Sequence, residues 1–413
     1  MLNIPLPRSK SIVIRCLIVH YLRTGELLPV FENDPNDIKI VYNALKIISE
    51  NANVTRNSKN NNSQLCEIDV QDCGAAYRFL MALLAATPGN WLLTGTKRLL
   101  ERPILPLVNF LKAHGANIQK TDLGWRIEGK ELQIDNCEID ISETSQFMSA
   151  VMMVKAESRK QKAESRNTLN PYFLKATLVA ESRKGKKSPS NFEGVDGEAG
   201  RGSLYHNPYI KTTDTILQTE NLSDSSFLKL SDWSAAVFWI ANTLLIPNAH
   251  YFLKDLHFDR LQGDAAIVPF FLKCGLSFTE KKNGIEVKHI NNVEIFPQII
   301  DVSQMPDITM ILAVLAVCYP FELTLFGLKN LNLKESNRLD ILVNELSKFT
   351  KVKKESENSI TIYKRKKPLP QQFHFDSYND HRFVMAWSLF NNYGELNIEN
   401  SDCVKKSYPN FLG

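Results

Sequence analysis

The chain has 413 residues, of which 44% are hydrophobic and 23% charged, with 49 Lys and Arg against 45 Asp and Glu. This length and apolar fraction allow two or three domains and exclude a globally disordered chain or a disulfide-stapled miniprotein. The seven cysteines are scattered without a CxxC pair, which predicts reduced thiols in a cytoplasmic protein rather than a zinc site. The most apolar stretch, 310–328, is interrupted by Pro320 and Glu322, so we expect a buried helix and a strand there, not a membrane span.

The net charge of +4 comes from one segment of the chain. Residues 155–187 contain ten Lys or Arg and three Glu, a local charge of +7, and residues 185–202 almost lack apolar side chains. This composition predicts a flexible basic insertion at about 156–203 that is dispensable for folding. An alternative hypothesis is that the segment binds a nucleic acid or an acidic partner, which would show as salt-dependent binding that is lost on deletion.

A loose repeat runs through the rest of the chain. An apolar helical pattern that ends in small or polar residues and is followed by a short strand pattern recurs at 40–54, 107–118, 267–278 and 341–352. The steps between copies, 67 and 74 residues, predict a repeated α/β unit of about 70 residues. Chance similarity between helix–strand pairs is the alternative interpretation.

Several predicted helices of the first half begin with groups that suit an anion. Lys10 and Ser11 precede an apolar helix, and Arg15 lies one turn further along the same face. Gly74 opens a helix that is predicted to run to about Ala86, and a glycine there lets a ligand approach the backbone. Helix capping and turn formation explain each motif equally well when it is taken alone.

Two further motifs of the first half have the same character. Pro103 suits the first turn of a helix, which would place Arg102 at the helix mouth, available to a carboxylate or phosphate. The alternative for Arg102 is a surface salt bridge with Glu101. Thr144, Ser145 and Gln146 stand before an apolar run and predict a helix start that is either a cap or a cradle for a polar ligand.

The second half supplies the acids. Asp307 precedes an apolar run and is either a helix cap or a buried catalytic carboxylate. Lys334 and Arg338 are four residues apart, which predicts one helix face with Glu335 beside them, and an exposed charged helix end explains this spacing equally well. Further cations precede or end the last elements, at Arg382 and Lys406. If these groups converge, they would hold one or two multiply anionic substrates.

The ordered motifs resemble one family, the 5-enolpyruvylshikimate-3-phosphate synthases (3-phosphoshikimate 1-carboxyvinyltransferases). The most specific are LLERPI (99–104), KESNRL (334–339) and YNDHR (378–382). The others, in chain order, are SKSIVIR, CGAAYRFLMALLA, TSQFMSA, NPYI, LQGD, MPDITM and KKSYPNF, so the resemblance extends from Ser9 to Phe411 apart from the insertion.

The resemblance implies an α/β protein with a two-domain inverted α/β barrel-like fold. Each domain would contain three copies of a βαβαββ unit, which agrees with the repeat in the sequence. The first domain would comprise residues 10–231, with the flexible insertion inside it, and the second would comprise residues 1–9 and 232–413. The active site would lie in the cleft between the domains.

The resemblance also implies a reaction. The enolpyruvyl group of phosphoenolpyruvate would be transferred to the 5-hydroxyl of shikimate 3-phosphate with release of phosphate, a step of the shikimate pathway to chorismate and the aromatic amino acids. No metal or organic cofactor would be required. We expect a monomer with small-molecule substrates and neither a nucleic-acid nor a membrane partner.

Family position assigns roles to individual residues. Asp307 would be the base on the hydroxyl, Glu335 the acid at the methylene group, and Lys10 a second proton-handling group. The implied ligands of shikimate 3-phosphate are Lys10, Ser11, Arg15, Thr144, Ser145, Gln146, Tyr209, Asp307, Asn330 and Lys334. The implied ligands of phosphoenolpyruvate are Lys10, Gly74, Arg102, Gln146, Arg338, Arg382 and Lys406.

The chain departs from the family pattern at several positions. Arg8, Ile14 and Ala75 replace the usual Gly, Asn and Thr, Thr144 replaces a Ser, and His206 stands where a phosphate-binding Ser is common. These changes predict weaker binding of shikimate 3-phosphate and a smaller effect on the chemical step. Two alternatives are the related UDP-N-acetylglucosamine enolpyruvyl transferase, disfavoured because Ser11 follows Lys10, and a catalytically degenerate relative.

Overall fold

The computed structural model describes residues 1–57, 65–134, 139–164, 208–219, 222–223, 226–259, 261–290 and 297–412. The strands within these ranges are β1 Leu2–Ile4, β2 Cys66–Asp69, β3 Gly89–Thr94, β4 Asn117–Lys120, β5 Gly124–Gly129, β6 His250–Lys254, β7 Leu276–Lys281, β8 Gly284–His289, β9 Ile299–Asp301, β10 Leu323–Phe326, β11 Val352–Ser356, β12 Ser359–Ile362, β13 Gln372–Asp376 and β14 Glu395–Glu399.

The α-helices within the same ranges are α1 Lys10–Thr24, α2 Asn36–Asn57, α3 Gly74–Ala86, α4 Lys97–Leu100, α5 Leu105–Ala113, α6 Gln146–Glu164, α7 Pro208–Gln218, α8 Trp233–Leu245, α9 Val268–Lys273, α10 Thr309–Cys318, α11 Arg338–Leu346 and α12 His381–Trp387. Short 3₁₀ helices lie at Ser226–Lys229, Gly263–Ile267, Pro306–Ile308, Leu331–Leu333, Ser388–Asn392 and Ser401–Lys406.

Three four-stranded sheets share one topology. Their strand orders are β2-β3-β5-β4, β9-β10-β12-β11 and β1-β6-β8-β7. In each sheet the first two strands are parallel and the last two pair antiparallel. Parallel neighbours require a crossover, and α3, α10 and α8 provide it in the three sheets. The repeated unit is therefore βαβαββ, and the parallel pair β13–β14 with α12 is a shorter copy.

One of these units is assembled from distant parts of the chain. Its first strand, β1, pairs with β6, so that Leu2 lies opposite Tyr251 and Ile4 opposite Leu253. The described residues from Ile12 to Leu230 form the core of the other half of the molecule. The N-terminal residues therefore belong to the sheet of the C-terminal half.

The crossover helices are buried because they are apolar on every face. All ten residues of α10 are buried, as are eleven of thirteen in α3 and in α8. A helix without a polar face must be enclosed on all sides by other elements. Three residues lie at the starts of these helices: Gly74 is the first residue of α3, Asp232 is the N-cap of α8, and Asp307 lies in the 3₁₀ turn before α10.

Two separate hydrophobic cores result. The first extends from Ile12 to Leu230 with the addition of Leu261, and the second contains Ile4 and residues from Trp233 to Tyr408. The predicted domain boundaries at 10–231 and 232–413 stay a prediction, and the composition of the two cores supports it. Among the described residues, no helix combines the length and apolarity needed to cross a membrane.

The predicted repeat is correct in three of its four copies. Residues 107–118, 267–278 and 341–352 cover the second helix and third strand of the three units. The strand predicted at the end of 40–54 is wrong, because α2 is helical from Asn36 to Asn57. Gly115 and Gly275, at φ 96° and 84°, follow the helices of two copies, whereas the segment 40–54 contains no glycine.

Other predictions fall partly outside the described residues. The start of the predicted insertion, at 156, lies inside α6, which continues to Glu164. Residues 165–203 lie outside the described residues, as does His206, so the predicted flexibility stays a prediction. The helix and strand predicted for 310–328 are confirmed as α10 and β10.

Candidate active site

A cleft of about 620 Å³ lies between the two cores, and we call it the open cleft. Its walls come from the start of α1, the segment before α6, and the loops around Asp307 and Lys334. Ten of the residues predicted as ligands or catalysts line it: Lys10, Ser11, Arg15, Thr144, Ser145, Gln146, Asp307, Asn330, Lys334 and Arg382. Residues predicted from distant parts of the chain are therefore brought together.

The start of α1 faces the open cleft, and the side chain at its N-cap position binds another residue instead of the helix backbone. Ser9 is the N-cap residue, but its hydroxyl donates to Gln262 Oε1 at 2.8 Å instead of capping the helix. Lys10, the first helical residue, places Nζ 3.0 Å from Asp37 Oδ2. The N-terminus of α1 and the Lys10 ammonium together favour an anion in the cleft.

Arg15 lines the same wall, but its guanidinium is engaged by protein groups. It donates to Thr213 Oγ1 at 2.9 Å, to Ser149 Oγ at 3.2 Å and to the Ser11 carbonyl at 2.6 Å. The side chain is buried and its guanidinium lies over the Phe79 ring at 4.9 Å from the centroid. Its predicted role as a phosphate ligand stays a prediction.

The helix start predicted at 144–146 is confirmed, since α6 begins at Gln146. The Gln146 amide N–H donates to Thr144 Oγ1 at 3.2 Å, and Gln146 Oε1 accepts from Arg78 Nη1 at 3.0 Å. Arg78 is buried and also donates to the Gly74 carbonyl at 3.0 Å. It therefore fixes two predicted ligand positions, a role that the sequence analysis missed.

A compact group of charged side chains adjoins the open cleft. We call it the charge cluster, and its members are Arg102, Asp307, Lys334, Glu335, Arg338, Asp380, Arg382 and Lys406. Arg338 is its centre, with a side chain only 1% exposed. Its guanidinium lies 3.0 Å from Asp307 Oδ1 and 2.7 Å from Glu335 Oε2, and it binds Asp380 through two bonds of 2.8 and 3.1 Å.

The charge cluster crosses from one core to the other. Arg102 Nη1 lies 3.4 Å from Glu335 Oε1, and Lys406 Nζ lies 3.6 Å from the same oxygen. Lys406 also donates to the Asp72 carboxylate at 2.7 Å, at the N-terminal side of α3. A Cβ at Gly74 would lie 2.5 Å from Arg102 Nη1, so the glycine is required by close approach of this guanidinium.

The predicted start of the helix near Arg102 is wrong. α5 begins at Leu105 with Pro106 in its first turn, and Pro103 lies between α4 and α5. The helix face predicted for Lys334 and Arg338 is also wrong, because α11 begins only at Arg338. Both cations nevertheless reach Asp307 Oδ1, at 3.5 and 3.0 Å, Lys334 from the loop before α11 and Arg338 from the first position of that helix.

Both proposed catalytic carboxylates are ionised in this arrangement. Burial alone would raise the pKa of Asp307, but Lys334, Arg382 and Arg338 outweigh it and hold the pKa well below the usual range. Burial likewise opposes ionisation of Glu335, yet Arg338, Arg102 and Lys406 lower its pKa well below the ordinary value. The cations of the cluster therefore use these carboxylates as counter-ions.

Two predicted ligands of shikimate 3-phosphate have a different status. Asn330 lines the open cleft, and its Nδ2 donates to the Ser142 carbonyl at 2.7 Å, across the two halves. Tyr209 lies in α7, and its side chain is outside the described part of the chain. The role of Tyr209 stays a prediction.

Two residues that the sequence analysis did not select belong to the site. His381 is buried, and its ring nitrogens have no hydrogen-bond partner within the described residues. Burial, reinforced by Lys10 and Arg382, lowers the pKa of His381 well below that of an ordinary histidine. Asp264 lines the open cleft and accepts from Ser234, and burial together with Asp307 raises the pKa of Asp264 to about 7. The signals in the sequence that could have identified them are the motifs YNDHR, which contains His381, and LQGD, which contains Asp264.

The structure explains two departures from the family pattern. Arg8 forms an ion pair with Asp34 and lies 4.6 Å above the Phe31 ring, so it stabilises the start of the first core. Ile14 is fully buried in that core, where an unpaired Asn would be costly. Ala75 lines the open cleft. Among the described residues, no group of three or more His, Cys, Asp or Glu side chains is arranged to hold a metal ion.

The fold of this chain matches that of an enzyme of known structure. The structure of EPSP synthase from Acinetobacter baumannii matches this chain with a TM-score of 0.60 and 17% identity, covering 98% of this chain and 93% of that one. EPSP synthase has the two-domain inverted α/β fold, and the predicted fold class is therefore confirmed.

The sequence comparisons agree over nearly the full length. A 3-phosphoshikimate 1-carboxyvinyltransferase of Bacteroides fragilis is 29% identical, over 99% of this chain and 93% of that protein. The enzyme of the same name from Clostridium kluyveri is 28% identical with the same coverage, and that from Pyrococcus abyssi is 29% identical over 84% of this chain and 77% of that protein. The family model for EPSP synthase (3-phosphoshikimate 1-carboxyvinyltransferase) matches residues 3–174 and 211–413. The resemblance found in the sequence motifs is confirmed, and this chain is a member of the EPSP synthase family.

Proposed function

We propose that this protein transfers the enolpyruvyl group of phosphoenolpyruvate to the 5-hydroxyl of shikimate 3-phosphate and releases phosphate. The observation that carries the proposal is the position of the charge cluster against the open cleft. Five cations and two candidate proton-transfer groups, Asp307 and Glu335, meet where a polar cleft of substrate size opens between the two cores. Two multiply anionic substrates fit such a site.

Shikimate 3-phosphate occupies the open cleft in this proposal. Its phosphate would accept from hydroxyl and amide donors before α6 and from the N-terminal end of α1. Its ring hydroxyls would bind the carboxylate of Asp307 and the ammonium of Lys334, which lie 3.5 Å apart on the cleft wall. This arrangement places the 5-hydroxyl beside Asp307, which is ionised and can accept its proton.

Phosphoenolpyruvate binds at the charge cluster. Its phosphate and carboxylate would take Arg102, Arg338, Arg382 and Lys406 as partners, and these cations now pair with Asp307, Glu335 and Asp380. Binding is therefore an exchange of counter-ions. Arginine suits this exchange because its planar fork binds either a carboxylate or a phosphate through two bonds.

The exchange also sets the protonation state of Glu335. When substrate oxygens neutralise Arg102, Arg338 and Lys406, the charges that lower the pKa of Glu335 no longer act on it alone. Burial then dominates, and the pKa of Glu335 rises toward the range of a general acid. An anionic substrate thus converts an ionised counter-ion into a proton donor.

The reaction then proceeds in two steps. In the first, Glu335 protonates the methylene carbon of phosphoenolpyruvate while the 5-oxygen, deprotonated by Asp307, forms a bond to the neighbouring carbon. In the second, Glu335 takes a proton back from the new methyl group as the carbon–oxygen bond to the phosphate breaks, and the departing phosphate takes the proton that Asp307 had accepted. The Lys10 ammonium, held 3.0 Å from Asp37, stabilises the negative charge of the departing phosphate.

Phosphate release from the purified protein tests the proposal. With both substrates present we expect turnover that falls at least about a hundredfold in Glu335→Gln, since general acid–base groups contribute about 10²- to 10⁴-fold. The matched control is Glu322→Gln, an exposed glutamate of the same half, which should retain full activity.

Three outcomes would contradict parts of the proposal. Release that needs only phosphoenolpyruvate would show a phosphatase or a contaminant. Release that is unchanged in Glu335→Gln would remove Glu335 from the chemistry. Release that requires UDP-N-acetylglucosamine instead of shikimate 3-phosphate would favour the related transferase.

A further inference from the structure

Arg98 on the short helix α4 reaches from the first half of the molecule to the loop that precedes α11. Its Nη2 donates to the carbonyls of Asn332 at 2.9 Å and Lys334 at 3.2 Å, and to Asn337 Oδ1 at 3.1 Å. Its Nε donates to the Glu335 carbonyl at 3.3 Å. One guanidinium therefore contacts four residues of the segment 332–337, which we call the acid loop.

The acid loop carries two proposed active-site groups without regular backbone bonding. Its residues 334–337 lie between the 3₁₀ helix Leu331–Leu333 and α11, which begins at Arg338. The carbonyls of Lys334 and Glu335 thus belong to neither helix and are satisfied by Arg98. Backbone groups of this kind need an alternative partner, and a fixed fork of donors supplies it.

Two arginines four positions apart contact the same residue, one at its backbone and one at its side chain. Arg98 binds the carbonyl of Glu335, and Arg102, four positions later, lies 3.4 Å from its carboxylate. Both come from the first core, while Glu335 belongs to the second half. The position of the Glu335 carboxylate therefore depends on how α4 meets the acid loop.

A surface ion pair does not account for Arg98. Its Nη1 lies 3.8 Å from Glu101 Oε2, and the two side chains are 40% and 53% exposed. Such a pair contributes little because solvent screens it. The four hydrogen bonds to the acid loop are the larger interaction, and a surface ion pair would not require them.

We propose that Arg98 is a positioning residue that clamps the acid loop across the two halves and so sets the placement of Glu335 and Lys334. The inference rests on the proposed function for its catalytic meaning. Lysine cannot replace Arg98 fully, because a single ammonium lacks the planar fork that spans carbonyls on successive residues. Arg98 touches no reacting atom in this role.

The test compares Arg98→Gln and Arg98→Lys with Arg126→Gln, an exposed arginine of β5 in the same half. Hydrogen exchange of the free protein reports the clamp without any turnover. In Arg98→Gln we expect the acid-loop amides to exchange at least about tenfold faster than in the wild type, with Arg98→Lys intermediate and Arg126→Gln unchanged. Unchanged exchange in Arg98→Gln would overturn the proposal.

Steady-state kinetics then test the consequence. We expect kcat of Arg98→Gln to fall about 10- to 100-fold, as for a misplaced catalytic group, while binary affinity for shikimate 3-phosphate stays within about threefold. Equal losses of kcat and binary affinity would contradict a positioning role. Faster exchange in a protein whose wild type releases no phosphate would support the clamp and reject the proposed reaction.

Asn337→Ala removes one acceptor of the clamp and leaves the backbone carbonyls in place. We expect a smaller loss of kcat than in Arg98→Gln, of about two- to fivefold, and less than additive effects in the double variant. Fully additive effects would show that the Arg98–Asn337 contact does not serve the same loop.

Discussion

The charge cluster and the open cleft lie side by side, yet they satisfy their polar groups in different ways. In the charge cluster, Arg338 has three carboxylates of the protein within 3.0 Å and is almost fully buried. In the open cleft, residues such as Ser11 and Ser145 line a volume of about 620 Å³. The first region is internally paired, and the second offers its donors to a ligand.

Because of this difference, the two substrates would bind in different ways. An anion that enters the charge cluster must displace carboxylates from their cations, so binding there changes both protonation and stability. An anionic group that binds among the hydroxyl groups and at the helix N-terminus of the open cleft breaks no ion pair of the charge cluster. Changes in the cluster should therefore alter kcat and folding, and changes in the cleft should alter KM.

The largest expected effect comes from Asp307→Asn, which keeps the shape but removes the base. We expect kcat to fall about 10²- to 10⁴-fold, the usual contribution of a general base. Phosphate release under saturating substrates measures it. The control is Asp402→Asn, whose side chain is 85% exposed. Retention of more than a tenth of the wild-type kcat would remove Asp307 from the base role.

The next effect concerns folding and comes from Arg338→Gln. The substitution leaves Asp307, Glu335 and Asp380 without their shared partner in a buried site. Breaking a buried ion pair from one side costs about 3–5 kcal/mol of unfolding free energy, and urea denaturation measures it. Arg126→Gln serves as the exposed control. A loss below about 1 kcal/mol would show that the carboxylates are not held by Arg338.

Asp264 lies at the boundary of the two regions, and its protonation is predicted to make the free energy of unfolding depend on pH. Burial and Asp307 raise its pKa to about 7, while Arg382 opposes them and Asp232 reinforces them. In the unfolded chain this carboxyl loses its proton near pH 4, whereas in the folded protein it keeps the proton up to about pH 7. The free energy of unfolding therefore falls as the pH rises from about 4 to about 7.

Asp264→Asn keeps the side chain neutral and should remove this dependence. From about pH 4 to about pH 7 we expect the wild type to lose about 2–4 kcal/mol relative to Asp264→Asn. Urea denaturation at several pH values measures the difference, with Asp402→Asn as control. Parallel pH curves for the wild type and Asp264→Asn would reject the raised pKa.

The smallest expected effect comes from Ser145→Ala in the open cleft. Loss of one hydrogen bond to a charged phosphate costs about 1.5–3 kcal/mol, so KM for shikimate 3-phosphate should rise about ten- to hundredfold with kcat within twofold. Initial rates at varied shikimate 3-phosphate measure it, with the exposed Ser347→Ala as control. A fall in kcat larger than the rise in KM would mean that the two regions are not separate in function.

Local features were predictable because they depend on neighbouring residues. The starts of α1, α3 and α6 follow from a small or polar residue before an apolar run, and α3 ends at Ala86 as predicted. The helix at Arg102 was misassigned because Pro103 and Pro106 both suit a first turn, and α5 begins at Leu105 with Pro106 in that turn.

The partners within the site were not predictable from the sequence. Lys406 binds Asp72 across 334 positions, and Arg98 reaches the Glu335 carbonyl across 237. Composition and spacing identify a cation, but they do not identify which carboxylate or carbonyl it meets. His381 and Asp264 were missed for the same reason, since their environments arise from burial by other elements.

The residue types, the helix starts that carry them and the family motifs could be read from the chain alone, because each depends on local chain order. The tertiary structure decided that one carboxylate, Glu335, is shared by Arg102, Arg338 and Lys406. It also decided that the Lys334 and Arg338 side chains converge on Asp307 without sharing a helix. The physical reason is that charges separated along the chain meet only when two cores bring their helix ends to one cleft.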